Sequence, residues 1–377
     1  MATSQKAKRK KERQKKRDTR AKAASSKAAA KRAGKDAPVQ KSWQREWAEA
    51  LIFALVVMLI VRTFIFDLFK IPTPSMEKSL LVGDHLFVSK LNYGTRLPKT
   101  LGVPFTQIHW PGFEFPHFRF PGFSEVKRGD AIVFNYPVEN KPIDRKMHYI
   151  KRVVGLPGET VELRDKVVYI DNDPQPLLSG MQQVWDVYKT DSRVHVSATR
   201  LRAIGIDSVA ATNNLELIRV VATEEAVKQV AAWPYIDRVE PFLMNPDARY
   251  SAAMYPPGRG YTPDQYGPVR IPQKGQTITL TKENWPVYDV VINKYEGRSG
   301  RVTGDGTFSI DGSPATSYTF QQDYYFVMGD NRDNSEDSRF WGFVPMDHVV
   351  GKALMVYYSW DKNRSLPRFN RMFKIIH

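Results

Sequence analysis

The chain has 377 residues, 42% of them hydrophobic, which is enough for one large core or two smaller ones and excludes a disordered protein. Its formal charge of +16 is unevenly placed: residues 1–46 hold 17 Lys/Arg against 4 Asp/Glu, a net +13, so the basicity belongs to a tail. With no cysteine, disulfides, thiolate catalysis and Cys-ligated zinc or iron-sulfur centres are excluded. The seven histidines (His85, His109, His117, His148, His195, His348 and His377) show no HxxxH or HxH spacing, so no metal and no cofactor is expected.

Residues 1–46 are rich in Lys, Arg, Ala and Ser and nearly free of large apolar side chains, a composition that predicts a flexible tail or loose helix. Such a tail either binds nucleic acid or ribosomes or is a cationic arm that sets topology and touches anionic headgroups; the apolar segment directly behind it favours the arm, with no specific nucleic acid partner. That segment, residues 47–66, is uncharged from Ala50 to Val61 and reads as a transmembrane anchor in the lipid bilayer. Arg62 can snorkel to the interface, and Trp47, Phe64, Phe66 and Phe69 suit interfacial positions. The competing reading is a buried core helix, but no second apolar helix of similar length offers a partner. No small-residue cleavage site follows, so the anchor is expected to stay attached. The positive-inside rule then puts the tail in the cytoplasm and residues 67–377 on the far side.

From Leu80 onward, short apolar runs broken by Gly, Pro, Asn and Asp predict a mainly β fold. The expected strands are His85–Lys90, Ala131–Tyr136, Tyr149–Val154, Thr160–Leu163, Val167–Ile170, Tyr324–Met328 and Leu354–Tyr358. Residues 104–123 carry six Phe, one Trp and four Pro without periodicity; this loop either dips into the bilayer interface or packs under a neighbour. Residues 171–320 are more polar, with helix-like patches near 222–233, a Pro/Tyr/Gly-rich loop at 247–268, and strand-like runs at Val269–Leu280 and Val287–Tyr295. Flanked by strands of similar character, they read as a large α+β insertion. The expected organisation is thus a tail (1–46), an anchor (47–66), a first core part (67–170), an inserted cap-like domain (171–320), and a second core part with the C-terminal tail (321–377).

Two residues attract chemical attention. In IPTPSM, Pro72 and Pro74 fix two φ angles and bias Ile71 and Thr73 toward extended geometry, so Ser75 sits on a stiff, non-helical backbone; a serine beside prolines is otherwise an ordinary loop residue. In HYIKRVVGLPGE, strand alternation puts Tyr149, Lys151 and Val153 on one face. Lys151 is either a surface lysine or, if that face is buried, an amine whose pKa falls by desolvation. At the reference pKa of about 10.4 roughly one lysine in a thousand is neutral near pH 7.4, so such a fall decides whether it can act as a base. The run DNRDNSEDS is, on its own, an Asx-rich turn; Arg332 in the third position and the lack of Gly at the sixth argue against a calcium loop.

Three segments together resemble the bacterial type I signal peptidases: IPTPSM with LLVGDHLFVSK, RGDAIVFNYP with YIKRVVGLPGE, and GDNRDNSEDSRFWGFVP at 329–345. The resemblance covers the anchor, 67–94, 126–172 and 322–360. It implies a β catalytic core and a serine endopeptidase in the bacterial cytoplasmic membrane that removes signal peptides from secreted precursors. Within it, Ser75 is the nucleophile and Lys151 the general base, while the Ser75 amide and the Thr73 hydroxyl form the oxyanion hole. It further implies that Ser335 hydrogen-bonds the Lys151 amine, with Tyr149 beside it and Asp337 and Arg339 paired behind. Phe69, Ile71, Pro72, Leu80 and Ile150 would line small apolar pockets. The family's Pro-Thr-Leu after the nucleophile is replaced by Lys78-Ser79-Leu80, its small residue before the nucleophile is Pro74, and the middle section matches only at YGPVRIPQKGQTITL. The rival readings are a soluble self-cleaving Ser-Lys repressor, which needs a DNA-binding domain where the anchor stands, and a non-enzymatic anchored protein that holds nucleic acid or ribosomes by its tail.

Overall fold

The structure, a computed structural model, describes residues 2–33, 42–102, 109–116, 118–244 and 253–376. Parts of the aromatic segment 104–123 and of the loop 247–268 therefore lie outside the described residues. Residues 1–59 and 60–377 form two compact units. Where a flexible tail or loose helix was expected, Ala2–Ala33 is one α-helix of 32 residues. It has no large apolar side chain from which a packed face could form. A second helix, Trp43–Phe64, is 22 residues long and buries none of them. At 1.5 Å per residue it spans about 33 Å, sufficient for a hydrocarbon core of about 30 Å. It ends two residues before the expected boundary, because Phe66 already opens a strand, Phe66–Lys70.

The second unit is organised on an antiparallel nine-stranded sheet. Its order runs Phe66–Lys70, Asp84–Ser89, Val349–Asp361, Ala131–Asn135, His148–Gly155, Tyr324–Met328, Val344–Pro345, and the short strands Leu366–Pro367 and Lys374–Ile375 join Val349–Asp361. The central strands Ala131–Asn135 and Tyr324–Met328 are buried along their whole length, as continuous β-branched and aromatic runs require. Ile71, Met76, Leu80, Leu86, Val133 and Val356 form one core cluster of this sheet. Tyr93, Ile132, Phe134, Val153, Val327 and Trp341 form another.

Residues 171–320 divide in two. The segment Gln182–Pro241 makes a separate four-stranded sheet, in the order Ser208–Ala211, Leu217–Thr223, Gln182–Lys189, Ile236–Pro241. Covered by the helices Ala198–Ala203 and Glu224–Ala231, it has its own core of Trp185, Val187, Leu201, Ile206, Val220, Val230 and Trp233 among others. The patch expected to be helical near 222–233 begins as strand; Thr223 then caps the helix by accepting from the Ala226 amide, with Glu224 and Glu225 in the first turn. Residues 266–320 instead share a core with the main body, where Tyr266, Tyr288, Ile292 and Phe320 pack with Val161, Phe326, Met328 and Phe343. The run Val287–Tyr295, expected as a strand, is the helix Trp285–Val290 followed by a π-type turn, Val291–Tyr295. Its β-branched residues suggested strand, but Tyr288, Val291 and Ile292 are buried at i, i+3 and i+4, a helical stripe. The run Val269–Leu280 is likewise two short strands, Tyr266–Arg270 and Thr277–Thr279, divided at Pro272 and Gly275.

Candidate active site

Local sequence builds the turn that carries Ser75. Thr73 is extended (φ −123°, ψ 155°), and Pro74, with its preset φ and no amide hydrogen to waste, starts the single 3-10 turn Pro74–Met76. Met76 is wholly buried beneath it, and Ser75 is 8% exposed. The turn is clasped from behind by Asn331, whose amide donates to the Ser75 carbonyl (3.0 Å) and whose Nδ2 donates to that of Pro74 (3.1 Å). Early in so short a turn, the Ser75 amide has no intrahelical acceptor.

Lys151 reaches the same point from the strand His148–Gly155, where it lies opposite Ile132. Its Nζ is 2.8 Å from Ser75 Oγ and also donates to the Ile150 carbonyl at 3.2 Å. The side chain is buried at 3% exposure, and its amine lies 5.4 Å from the centre of the Tyr149 ring. Burial lowers its pKa from the ordinary lysine value, against the opposing pull of the Asp337, Glu336 and Asp330 carboxylates.

The support expected behind Lys151 differs in one respect. Asp337 and Arg339 pair through two contacts of 2.9 Å, and Arg339 also donates to the carbonyls of Pro263 and Arg332. Burial pushes the Asp337 carboxyl up, but the Arg339 guanidinium outweighs this and holds it below the usual range. Ser335, however, makes no bond to Lys151: its Oγ is buried without a hydrogen-bond partner. It is packed against Gly329, on which a Cβ would stand 2.2 Å from Ser335 Oγ and 2.5 Å from the Ser75 carbonyl oxygen.

Ser75 and Lys151 lie in a cleft of about 460 Å³ walled by Phe69, Ile71, Pro72 and Ile150, with exposed Thr73 at its edge. The Thr73 hydroxyl makes no capping bond to the turn. Tyr149 also lines the cleft and stacks on Tyr136 at 4.4 Å, and the Tyr136 hydroxyl donates to Glu336. Leu80, expected in the wall, is instead buried at 1% exposure beneath it, packed in the cluster of Ile71, Met76 and Leu86. Its chain direction after the 3-10 turn carries it into the core rather than toward the opening.

Several lining residues escaped sequence reasoning: Leu86, Val133, Met147, His148 and Asn334. Val133 sits opposite Ile150 on the neighbouring strand, so the cross-strand register would have exposed it had the pairing been known. His148 packs its ring 4.9 Å from that of Phe69 and is pushed down to about 4 by burial, so it is a neutral wall at physiological pH. Gly329 opens a quoted motif, but only its close approach to Ser75 reveals why no side chain fits there.

This arrangement joins a buried hydroxyl and a buried amine at the mouth of an apolar cleft, which suits acyl transfer. Comparison with known proteins agrees. The chain matches the family model described as signal peptidase, peptidase S26, over residues 44–248 and 269–360. Among curated proteins, signal peptidase I of Buchnera aphidicola (subsp. Acyrthosiphon pisum) is 27% identical, covering 81% of this chain and 72% of its own. Those of Pseudomonas aeruginosa (27%; 84% and 74%) and Aquifex aeolicus (29%; 79% and 78%) are similarly related. A solved signal peptidase I of Enterococcus faecalis V583 is matched at 18% identity and a TM-score of 0.21, over 61% of this chain and 97% of that one. With its family model matched over most of its length, the chain belongs to the signal peptidase family, peptidase S26.

Proposed function

We propose that the protein is a membrane-anchored serine endopeptidase that removes signal peptides from exported precursors, with Ser75 as nucleophile and Lys151 as general base. The observation that carries this reading is the 2.8 Å approach of two buried groups, Lys151 Nζ and Ser75 Oγ. Neutral Lys151 takes the Ser75 proton as Oγ attacks the scissile carbonyl. The oxyanion then accepts from the Ser75 amide and from the hydroxyl of Thr73. The lysine ammonium passes its proton to the leaving nitrogen as the peptide bond breaks, and the acyl-enzyme is hydrolysed by a water that the same amine deprotonates. Asp337 and Arg339 position the loop behind Lys151, and the apolar wall of Phe69, Ile71, Pro72 and Ile150 admits small side chains before the scissile bond. A helix of 22 residues, uncharged from Ala50 to Val61, supports anchoring, with the basic residues before it held in the cytoplasm and residues beyond it on the outer face of the bacterial inner membrane.

Precursor processing by membranes carrying Ser75→Ala or Lys151→Ala is the deciding experiment. Each variant is expected to abolish cleavage, and cleavage retained in either one overturns the dyad. A non-enzymatic anchored protein that holds nucleic acid or ribosomes predicts that both substitutions are silent.

A further inference from the structure

A second groove, about 210 Å³, begins where the first ends. Asn334 lines both, and Glu77 and Lys78, the second and third residues after Ser75, open it. Its far wall is supplied by the separate sheet of residues 182–241, through Gln182, Asp207 and Ser208. The two walls are tied across the groove by the Lys78–Asp207 ion pair (2.6 Å) and by the bridge between Gln182 and Asn331. Asn331, the residue that clasps the Ser75 turn, lines this groove and is 3% exposed; its Oδ1 has no hydrogen-bond partner.

A polypeptide whose carbonyl carbon reaches Ser75 Oγ must leave that point in two directions. The apolar cleft takes the side before the scissile bond, which leaves the groove for the side that departs as the amine. Most of its lining residues are polar or charged, with Val184 and Val221 adding apolar surface, a mixture suited to a peptide's backbone and side chains rather than to lipid or an apolar helix. Its charge is lopsided. Asp207 is taken up by Lys78 and Asp333 by the buried Lys166, whereas Glu77 carries no ion pair among the described residues.

Resting on the dyad reading above, we propose that this groove is a subsite for the first few residues on the leaving side of the scissile bond, and that it favours a basic over an acidic side chain there. The 182–241 segment thereby becomes part of the substrate site. The test uses the full chain in detergent and peptides identical up to the scissile bond. Peptides carrying five rather than one leaving-side residues should show a kcat/KM about fivefold higher, and among the longer ones Lys should exceed Glu by about fivefold at low ionic strength, an advantage that fades with salt. Glu77→Gln should bring the Lys and Glu peptides together, and Ser208→Trp, which fills the groove from an exposed strand, should erase the advantage of length.

Equal kcat/KM for short and long peptides overturns the subsite, and Glu equal to or above Lys overturns the role of Glu77. Both comparisons can be made on the unmutated protein, so neither depends on a variant that folds. Failure of the dyad reading shows differently, as cleavage that survives Ser75→Ala or as no cleavage of any peptide.

Discussion

Gly329→Ala tests how the floor of the site sets its chemistry. An added Cβ would stand 2.2 Å from Ser335 Oγ, 2.5 Å from Ser335 Cβ and 2.5 Å from the Ser75 carbonyl oxygen. Ordinary contact needs about 3.4 Å or more, so something must move by about 1 Å; Ser335 can yield as a side chain, but the Ser75 carbonyl is backbone, held by the Asn331 amide. A displacement of that size at a reacting group costs on the order of 100-fold in rate, while overpacking of one methyl costs about 1–3 kcal/mol in stability. Single-turnover cleavage of a fluorogenic precursor peptide and thermal melting in detergent separate the two effects. Adding Ser335→Gly removes the two Ser335 contacts and leaves the Ser75 one, so the double variant should regain stability without regaining rate. If Gly329→Ala keeps its rate within about threefold of the parent, or the double variant recovers fully, the carbonyl contact does not control the nucleophile.

Other outcomes follow from the same geometry. Because burial lowers the Lys151 pKa and the amine works unprotonated, cleavage should rise with pH through a limb below the ordinary lysine value of 10.5, and a profile flat from about pH 6 to 10 rules Lys151 out as base. The sign for stability runs the same way. The unfolded chain binds this proton more readily than the folded one, so the Lys151 contribution worsens as pH falls from its unfolded pKa toward its folded one, and Lys151→Met should remove that slope from melting curves. Thr73→Ala should slow turnover by about 100 to 1000-fold with little change in KM, and Thr73→Ser should restore most of it; an equal loss in both would point to packing rather than to the hydroxyl. Arg152 and Asp330 form a buried bidentate pair at 2.8 and 2.7 Å, so Arg152→Met should destabilise by about 3–5 kcal/mol in urea titration, and a loss under about 1 kcal/mol would mean that the Asp330 charge is relieved elsewhere.

The β-rich core and the family were legible in the sequence because their signals are local: alternating apolar strands punctuated by Gly and Pro, and short motifs in a fixed order. Ser75 and Lys151 were reached through those motifs, since nothing in the sequence encodes the contact between positions 76 residues apart. The cleft wall was only partly readable. Phe69, Ile71, Pro72 and Ile150 lie next to motif residues, whereas Leu86 and Val133 arrive through strand pairing. Leu80 and Ser335 were misplaced for a shared reason, because motif position fixes an address in the chain but not the direction of a side chain. Val287–Tyr295 was misread because β-branched residues suggest strand until the 3.6-residue spacing of Tyr288, Val291 and Ile292 is seen against its partners. The lining of the second groove carries no sequence signature at all, being assembled from distant segments around residues 77–78, 182–221 and 331–334.

The segment from Gln182 to Pro241 leaves and re-enters the main body through adjacent antiparallel strands, with Trp185 directly opposite Pro241. Its two ends are therefore already neighbours, and joining them with a short loop would ask little of the backbone. Such an excision makes the module a candidate for exchange between relatives, able to grow, shrink or be replaced while the hydrolytic machinery stays fixed. What such an exchange would alter is the strip along Asp330 to Asp333, where Gln182 and Val184 hold the loop behind the nucleophile through backbone and carboxylate bonds.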